Sequence, residues 1–193
     1  HTDDPEAYRL QPASLVAVFL GGGNAENVEN LISGSPTLPW QGYWFRLNAA
    51  DEPRADFNVA QVRAADGNRG RIDFQVSSNR FFAYVAGGAE FPLSGVYPFD
   101  VWWWVEQILD TSSGTRTHYC WMNGVRLTPA NRTVAASTGS NVILGPTGAN
   151  TTTARYSNHY WGYALSTADI LGEPFQSPGD NPPIGTSGRG AGW

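Results

Sequence analysis

The chain has 193 residues, which suits one domain that can bury a hydrophobic core without disulfides. Aromatic residues make up 13% of it, beside 22 glycines and 13 prolines, a composition typical of proteins built from strands and turns. The net charge is −5, all 12 basic residues are arginine, and no basic cluster occurs, which argues against nucleic acid as a partner. No apolar run reaches the roughly 18 residues that a membrane span needs.

Residues 1–12 are polar with two prolines and are predicted to form an N-terminal arm. Residues 24–31 are predicted to form either one helical turn or a strand that begins at Val28. Elsewhere, short apolar or alternating segments recur roughly every 8–12 residues between turn clusters, which predicts an all-β sandwich. The predicted strands cover residues 13–20, 41–48, 57–63, 71–77, 80–86, 102–109, 117–122, 125–127, 142–145 and 154–163.

Two of these strands alternate in a way that assigns side chains to faces. Regular alternation in 57–63 places Gln61 on the same face as Phe57 and Val59. The strand at 71–77 alternates as well, with its apolar residues predicted to face the core. Its outward residues are Arg71, Asp73 and Gln75.

The densest apolar block, residues 101–127, is predicted to form an antiparallel meander. Its second long strand ends at Asn123–Gly124, a strong hairpin signal because both residues accept positive φ. Consecutive tryptophans at 102–104 must point to alternating faces, so at least one leaves the core of its own layer. A second layer or a partner then has to cover it.

Four motifs follow one another in a recognisable order. They are Trp102 to Asp110, Tyr119 to Gly124, Val142 to Gly145, and Trp161 to Ile170. Together they resemble the laminin-G-like, or concanavalin-A-like lectin and glucanase, jelly-roll domain. The resemblance implies a two-sheet antiparallel jelly-roll sandwich over residues 13–172. The chain departs from the family at Glu106, where a small residue is usual, and at Asp169, where glutamate is usual.

From residue 173 the chain becomes rich in Pro, Gly and Ser and cannot form a core of its own. We expect this C-terminal tail, residues 173–193, to be held by its own domain, by a neighbouring copy or by another protein. An assembly contact is the favoured interpretation, and a tail that folds back over its own sandwich is the simpler one. The predicted assembly residues are Pro174, Phe175, Pro182, Pro183, Ile184 and Trp193.

Exposed aromatic side chains are the main functional feature of the sequence, since Trp and Tyr stack on sugars and anchor protein interfaces. Glu106 shares a strand face with Trp102 and Trp104, an arrangement found in sugar sites. An ordinary outward polar residue is the simpler interpretation of Glu106. The predicted ligand-binding residues are Trp44, Trp102, Trp104, Glu106, His118 and Trp121.

No catalytic constellation is recognisable along the sequence. The carboxylate runs of sandwich glucanases, the lyase motifs, the nucleophile elbow and clustered zinc ligands are all missing. Cys120 lies within an aromatic strand and is predicted to be a small buried hydrophobe. We therefore expect that the chain is not an enzyme. The enzymatic alternative is a glucanase or lyase that uses Glu106, His118 or His159.

No cofactor is predicted. Calcium is kept as an alternative, because some members of the family that the chain resembles bind it at the sandwich rim. Loop oxygens of Asp66, Asn68 and Asp110 could serve as its ligands. Asp and Asn in turns are more often there for backbone hydrogen bonds.

The leading hypothesis is a non-catalytic binding or structural module of an extracellular, virion or filament surface. Its expected partners are proteins or copies of itself, bound through the terminal arms and the exposed aromatic residues. A glycan-binding, lectin-like module is the first alternative, and a glycoside hydrolase or polysaccharide lyase of the same fold is the second. The chain begins at His1 without a visible signal peptide, from which we expect a processed or truncated start.

Overall fold

The computed structural model describes residues 17–19, 27–49, 56–85, 90–92, 98–127, 129–145 and 154–167. In these ranges the regular elements are β-strands, and no helix is long and apolar enough to cross a membrane. The strands are β1 (Ala17–Phe19), β2 (Val28–Leu31), β3 (Pro39–Arg46), β4 (Phe57–Ala64), β5 (Arg69–Gln75), β6 (Arg80–Val85), β7 (Glu90–Pro92), β8 (Trp103–Asp110), β9 (Thr115–Met122), β10 (Val125–Arg126), β11 (Ala130–Thr133), β12 (Gly139–Leu144) and β13 (Ala154–Tyr163).

The strands form two sheets in which all neighbours are antiparallel. The seven-stranded sheet has the order β1-β13-β3-β8-β9-β10, with β11 also paired to β9. The six-stranded sheet has the order β2-β12-β4-β5-β6-β7. The two sheets pack face to face, which confirms the predicted two-sheet jelly-roll sandwich. The predicted arms, residues 1–12 and 173–193, lie outside the described residues.

The main core lies between the sheets and is largely aromatic. From the seven-stranded sheet, Phe45 contacts Tyr156 with ring centroids 5.2 Å apart. It also meets Phe81 of the six-stranded sheet in an edge-to-face contact at 5.4 Å. Phe74 and Phe81 continue the row at 5.3 Å. Such contacts add to the free energy of burial, so this cluster holds the two layers together.

A belt of buried polar side chains lies beside this aromatic core. His118 Nε2 is 2.9 Å from Gln107 Oε1, and His159 Nε2 is 2.9 Å from Gln41 Oε1. Gln41 in turn donates to the backbone carbonyl of Gln61 at 2.8 Å, which links the two sheets. Burial lowers the pKa of both imidazoles to about 3, so each is neutral at pH 7. Each histidine gives a glutamine side-chain oxygen a hydrogen-bond partner in the interior.

Cys120 lies in the same interior and is almost fully buried, as its sequence context predicts. Its sulfur is 3.4 Å from His118 Nε2, and burial raises the pKa of the thiol. A neutral, inaccessible thiol is a poor nucleophile, so Cys120 acts as a small core residue.

The predicted hairpin at Asn123–Gly124 is confirmed, because the two residues have φ values of 49° and 78° between β9 and β10. Residues 28–31, left open as helix or strand, form β2. Residues 129–140, for which no strand is predicted from the sequence, contain β11 and the first residues of β12.

Candidate functional site

The outward side of the seven-stranded sheet is aromatic and buried. We call it the aromatic face and define it by the outward side chains of β3, β8 and β9 and the residues that pack with them. They are Trp40, Trp44, Trp102, Trp104, Glu106, Ile108, Tyr119, Trp121, Tyr160 and Ala164. Their five tryptophans are only 0 to 8% exposed. A face that is closed in this way offers little surface to a ligand.

Glu106 lies in the middle of the aromatic face and is itself buried. Trp104 Nε1 donates to Glu106 Oε1 at 2.7 Å, so the carboxylate orients an indole ring. On the neighbouring strand the partner of Glu106 is Gly42, over which the rings of Trp104 and Trp40 close. The position of Glu106 therefore suits a packing role within this face.

The six predicted ligand-binding residues separate into two environments. Five of them (Trp44, Trp102, Trp104, Glu106 and Trp121) lie together on the aromatic face. His118 lies on the opposite side of the same sheet and points into the core, against Gly70 of β5. A ligand site made of all six would have to reach both sides of one sheet. A site at the other five stays a prediction.

The outward side of the six-stranded sheet has a different character. Its centre holds a chain of hydrogen-bonded polar side chains, which we call the polar ladder. The polar ladder consists of Asn58, Gln61, Arg63, Arg71, Asp73 and Tyr84. These residues come from three adjacent strands, β4, β5 and β6, which places them side by side on one surface.

A β-bulge in β4 creates one half of the polar ladder. The register between β4 and β5 shifts between Asn58 and Ala60, so Val59 and Ala60 both pack in the core. Gln61 is thereby turned outward beside Asn58. The sequence-based placement of Gln61 on the face of Phe57 is wrong for this reason, because one extra residue reverses the alternation.

Within β4 the ladder runs through three side chains. Arg63 Nε donates to Gln61 Oε1 at 3.2 Å, and Gln61 Nε2 donates to Asn58 Oδ1 at 2.7 Å. Asn58 Nδ2 then donates across to Asp73 Oδ1 of β5 at 2.6 Å. Each amide uses both its donor and its acceptor, so the orientation of each group is fixed.

On β5 the ladder continues through an ion pair and ends on an aromatic ring. Arg71 Nε donates to Asp73 Oδ2 at 2.7 Å, and the Arg71 guanidinium carbon is 4.0 Å from the centroid of the Tyr84 ring. The side chains of Arg71 and Asp73 are 24% and 13% exposed. These groups are therefore held in place and remain reachable from solvent.

One arginine of the polar ladder, Arg63, has a second arginine beside it. Arg63 and Arg69 are direct cross-strand partners of β4 and β5, with Asn141 of β12 beside Arg63. Neither arginine forms an ion pair with a carboxylate in the part of the chain that the structure describes. Two like charges opposite each other are unfavourable, and a bound anion would relieve the repulsion. This end of the face therefore suits a negatively charged group.

The predicted calcium ligands already have side-chain partners. Asp66 accepts hydrogen bonds from Asn68 and forms an ion pair with Arg116 at 3.0 Å. Burial alone would raise the pKa of Asp66, but these hydrogen bonds outweigh it and lower that pKa. Asp110 accepts from the backbone and hydroxyl of Ser112. Among the described residues no three His, Cys, Asp or Glu side chains cluster as metal ligands would. Calcium stays an untested prediction.

Comparisons with known proteins support the fold. No protein-family model matches the sequence, and no curated protein sequence does. The alginate lyase vAL-1 from Chlorella virus is similar in structure, with a TM-score of 0.58 and 11% identity over 78% of this chain and 84% of the lyase. A Trypanosoma rangeli sialidase in complex with sialic acid is similar with a TM-score of 0.57 and 9% identity. The match covers 78% of this chain and only 26% of the sialidase.

At such low identity these similarities show a β-sandwich of the jelly-roll kind, which is the coarser part of the predicted resemblance. The finer laminin-G-like assignment stays a prediction. The prediction that the chain is not an enzyme is wrong by this comparison, because the similar structures are mostly sialidases and an alginate lyase. Side chains need no linear motif to share a surface, since the residues of the polar ladder come from three strands.

The sequence already contained one signal for the polar ladder. Alternation in 71–77 correctly turned Arg71 and Asp73 outward, where the structure places them. The sequence does not predict that Asn58 and Gln61 lie beside them, because neither the bulge nor the pairing of β4 with β5 is visible in the alternation of a single sequence.

Proposed function

We propose that this chain recognises a carboxylate-bearing polysaccharide on the outward side of its six-stranded sheet, along the polar ladder. The observation that carries the proposal is the hydrogen-bonded chain of buried and partly buried amides, guanidinium groups and carboxylate from Arg63 to Tyr84. Sugar hydroxyls and carboxylates bind to such donors and acceptors, and an aromatic ring supports a sugar face.

The charge of this surface supports an anionic ligand. Arg63 and Arg69 carry no carboxylate partner among the described residues, although the chain as a whole has a net charge of −5. A guanidinium group binds a carboxylate through two parallel hydrogen bonds. A polysaccharide ligand also fits the extracellular or virion-surface location expected from the sequence.

Binding to soluble alginate, polysialic acid and a neutral glucan, measured by isothermal titration calorimetry, tests the proposal. We expect binding to at least one anionic polymer, and weaker or no binding to the neutral one. Arg69→Gln should weaken the binding about tenfold, because a charge-assisted hydrogen bond contributes about 1.5 kcal/mol. The matched control is Arg132→Gln on β11, an exposed arginine of the other sheet. Equal effects of the two substitutions would contradict the proposal.

A second candidate function is an eliminating polysaccharide lyase, favoured by one cross-strand row of the polar ladder. Gln61 pairs with Arg71, and Arg71 pairs with Tyr84, so an amide, a guanidinium and a phenol lie side by side. In elimination a base takes the proton next to a uronate carboxylate. The bond to the neighbouring glycosidic oxygen then breaks, and that oxygen takes up a proton.

In this row Arg71 would neutralise the charge that develops on the carboxylate, and Tyr84 would take and return the proton. Gln61 is buried and would hold the row in place through its hydrogen bonds to Asn58 and Arg63. Elimination creates a carbon–carbon double bond conjugated to the carboxylate, so ultraviolet absorbance of the products detects it. Activity that Tyr84→Phe abolishes while calorimetric binding persists would support the lyase. Binding without any rise in absorbance would leave recognition as the function.

A further inference from the structure

Three arginines lie close together at one end of the polar ladder. Arg63 and Arg69 are direct cross-strand partners, and Arg71 follows Arg69 by two residues on the same outward side. Direct partners have Cβ atoms about 5 Å apart, and diagonal neighbours are about 7–8 Å apart. We call these three residues the arginine cluster. All three are partly exposed, so a ligand can reach them.

The arginine cluster carries more positive charge than its surroundings neutralise. Its one ion pair among the described residues joins Arg71 Nε to Asp73 Oδ2 at 2.7 Å. Arg63 uses its Nε on the neutral side chain of Gln61. A single ligand carboxylate, bound through parallel hydrogen bonds to guanidinium groups, would offset the surplus charge. This end of the ladder therefore suits one acidic sugar.

The next position along the strand carries the opposite charge. Asp73 follows Arg71 by two residues on β5, which places it about 7 Å further along the sheet. Its side chain is 13% exposed, and its Oδ1 accepts from Asn58 Nδ2 at 2.6 Å. A ligand carboxylate at this position would be repelled by the carboxylate of Asp73. A sugar hydroxyl can instead donate to it.

The surface beside Asp73 is apolar. Phe82 of β6 is the cross-strand partner of Asp73, and Pro92 of β7 is the partner of Phe82. Phe82 is partly exposed and Pro92 is exposed, whereas the alternating residues Phe81 and Ala83 are buried in the core. An aromatic ring supports the apolar face of a sugar. This second position therefore suits a neutral sugar.

Positive charge returns only beyond the apolar position. Arg80 is exposed, is the cross-strand partner of Gln75, and forms no ion pair within the described ranges. Gln75 lies six residues after Arg69 on β5, a distance of about 20 Å along the strand. The unpaired cations are thus separated by an acidic and apolar stretch. A ligand whose charges are spaced apart matches this pattern.

We propose that the ligand of the polar ladder is a polysaccharide in which uronic acids alternate with neutral sugars. A uronate carboxylate binds to the arginine cluster, and the neighbouring neutral sugar lies on Phe82 and donates a hydroxyl to Asp73. This inference rests on the proposed function and names the substrate class of that same site. It holds for binding and for cleavage alike, because the uronate lies beside Arg71 and Tyr84 in both cases.

Two hexasaccharides compared by isothermal titration calorimetry, with the full chain at one ionic strength, test the proposal. In the hyaluronan hexasaccharide, glucuronate alternates with N-acetylglucosamine. The alginate hexasaccharide has a carboxylate on every residue and so carries twice the charge. Net charge alone would make alginate the tighter ligand. We expect the opposite order, with hyaluronan bound about tenfold more tightly, because alginate places a carboxylate against Asp73.

The variant Asp73→Asn removes the repelling charge and keeps the shape of the side chain. We expect the preference for hyaluronan to fall from about tenfold to within about twofold. The matched control is Asp110→Asn, the same change of charge on β8 of the other sheet, which should leave the preference unchanged. Circular dichroism checks that both variants fold.

A second variant tests the neutral-sugar position without touching the ion pair of Arg71 and Asp73. Phe82→Ala should weaken the binding of hyaluronan about fivefold, because the ring no longer supports the sugar. The binding of alginate should change less. An equal loss for both ligands would contradict the assignment of a neutral sugar to Phe82.

The remaining outcomes separate this inference from the proposed function. Alginate bound as tightly as hyaluronan by the unmodified chain would overturn the inference and leave the proposed function standing. A preference that persists in Asp73→Asn would also overturn it, because the discrimination would then come from elsewhere. If neither hexasaccharide nor its parent polymer bound, the proposed function itself would be wrong, and the substrate class with it.

Discussion

Single glycines set how closely side chains pack on the aromatic face. A Cβ added at Gly42 would lie 2.8 Å from the Trp104 ring and 3.0 Å from the Trp40 ring, closer than carbon atoms pack in protein interiors. One ring would have to move out of a closed layer. We expect Gly42→Ala to lower the free energy of unfolding by about 1–3 kcal/mol, measured by urea titration.

The matched control for this substitution is Gly114→Ala, in the loop between β8 and β9. Its nearest neighbour would be the Val134 carbonyl oxygen at 3.9 Å, an ordinary van der Waals contact that needs no rearrangement. We expect a change within about 0.5 kcal/mol. Similar losses in both variants would show that packing over Gly42 is not what makes that position sensitive.

The buried imidazole of His118 makes stability depend on pH. Burial lowers its pKa from 6.5 to about 3 in the folded chain, whereas the unfolded chain keeps a pKa near 6.5. The unfolded state therefore binds more protons between these values, and the free energy of unfolding falls as the pH falls. From about pH 6.5 to about pH 5 the loss due to His118 should reach about 2 kcal/mol.

Urea titrations of the wild type and of His118→Gln over this pH range measure that loss. Glutamine does not titrate in this pH range, so the free energy of unfolding of the variant should fall less steeply with pH, whatever its absolute value. If the free energies of unfolding of the two proteins fell equally with pH, His118 would not be the group that binds more protons in the unfolded state than in the folded state.

At the scale of elements, the bulge in β4 is the feature that builds the polar ladder. Asn58 Nδ2 donates to Asp73 Oδ1, its cross-strand partner, at 2.6 Å, and the bulge joins Gln61 to this contact by turning it to the face of Asn58. Asn58→Asp would place two carboxylates in contact. We expect it to lower the free energy of unfolding at pH 7 by more than Asn58→Ala, in urea titrations, because like charges repel.

The difference between these two variants should shrink towards pH 4, where one carboxyl group of the pair takes up a proton. A difference that is constant with pH would show that the two side chains do not lie together, and would contradict the ladder geometry.

Local patterns predicted the elements well and their pairing poorly. The hairpin at Asn123–Gly124 follows from two residues that accept positive φ, and the outward side chains of β5 follow from simple alternation. The bulge in β4 leaves no such trace, because it depends on how that strand meets β5 and β12. The buried pair of Gln41 and His159 joins residues 118 positions apart, which no local pattern can show.

At the scale of the whole molecule, the sandwich separates two unlike surfaces. One outward side is a closed aromatic face, and the other presents the polar ladder with Arg63 and Arg69. The ligand-binding residues predicted from the sequence lie mostly on the aromatic face, because aromatic residues are easy to recognise in a sequence. The polar ladder is recognisable only from the order of the strands in the sheet, which brings β4, β5 and β6 together.

This separation predicts how salt affects ligand binding. The contacts of an anionic polysaccharide with the partly exposed Arg63 and Arg69 are screened as the ionic strength rises. We expect its affinity to fall steadily between about 0.05 M and 0.5 M sodium chloride, in calorimetric titrations. Arg69→Gln should flatten this dependence and Arg132→Gln should not. An affinity that salt leaves unchanged would contradict an arginine-based contact.

The position of Cys120 between the sheets has a practical consequence. It is the single thiol of the chain, and it is 1% exposed in the native fold. A thiol reagent can reach it only when the layers come apart, so each modified molecule records one opening event. The labelling rate at increasing reagent concentration would then give the opening rate of the native sandwich, and the measurement needs no introduced cysteine.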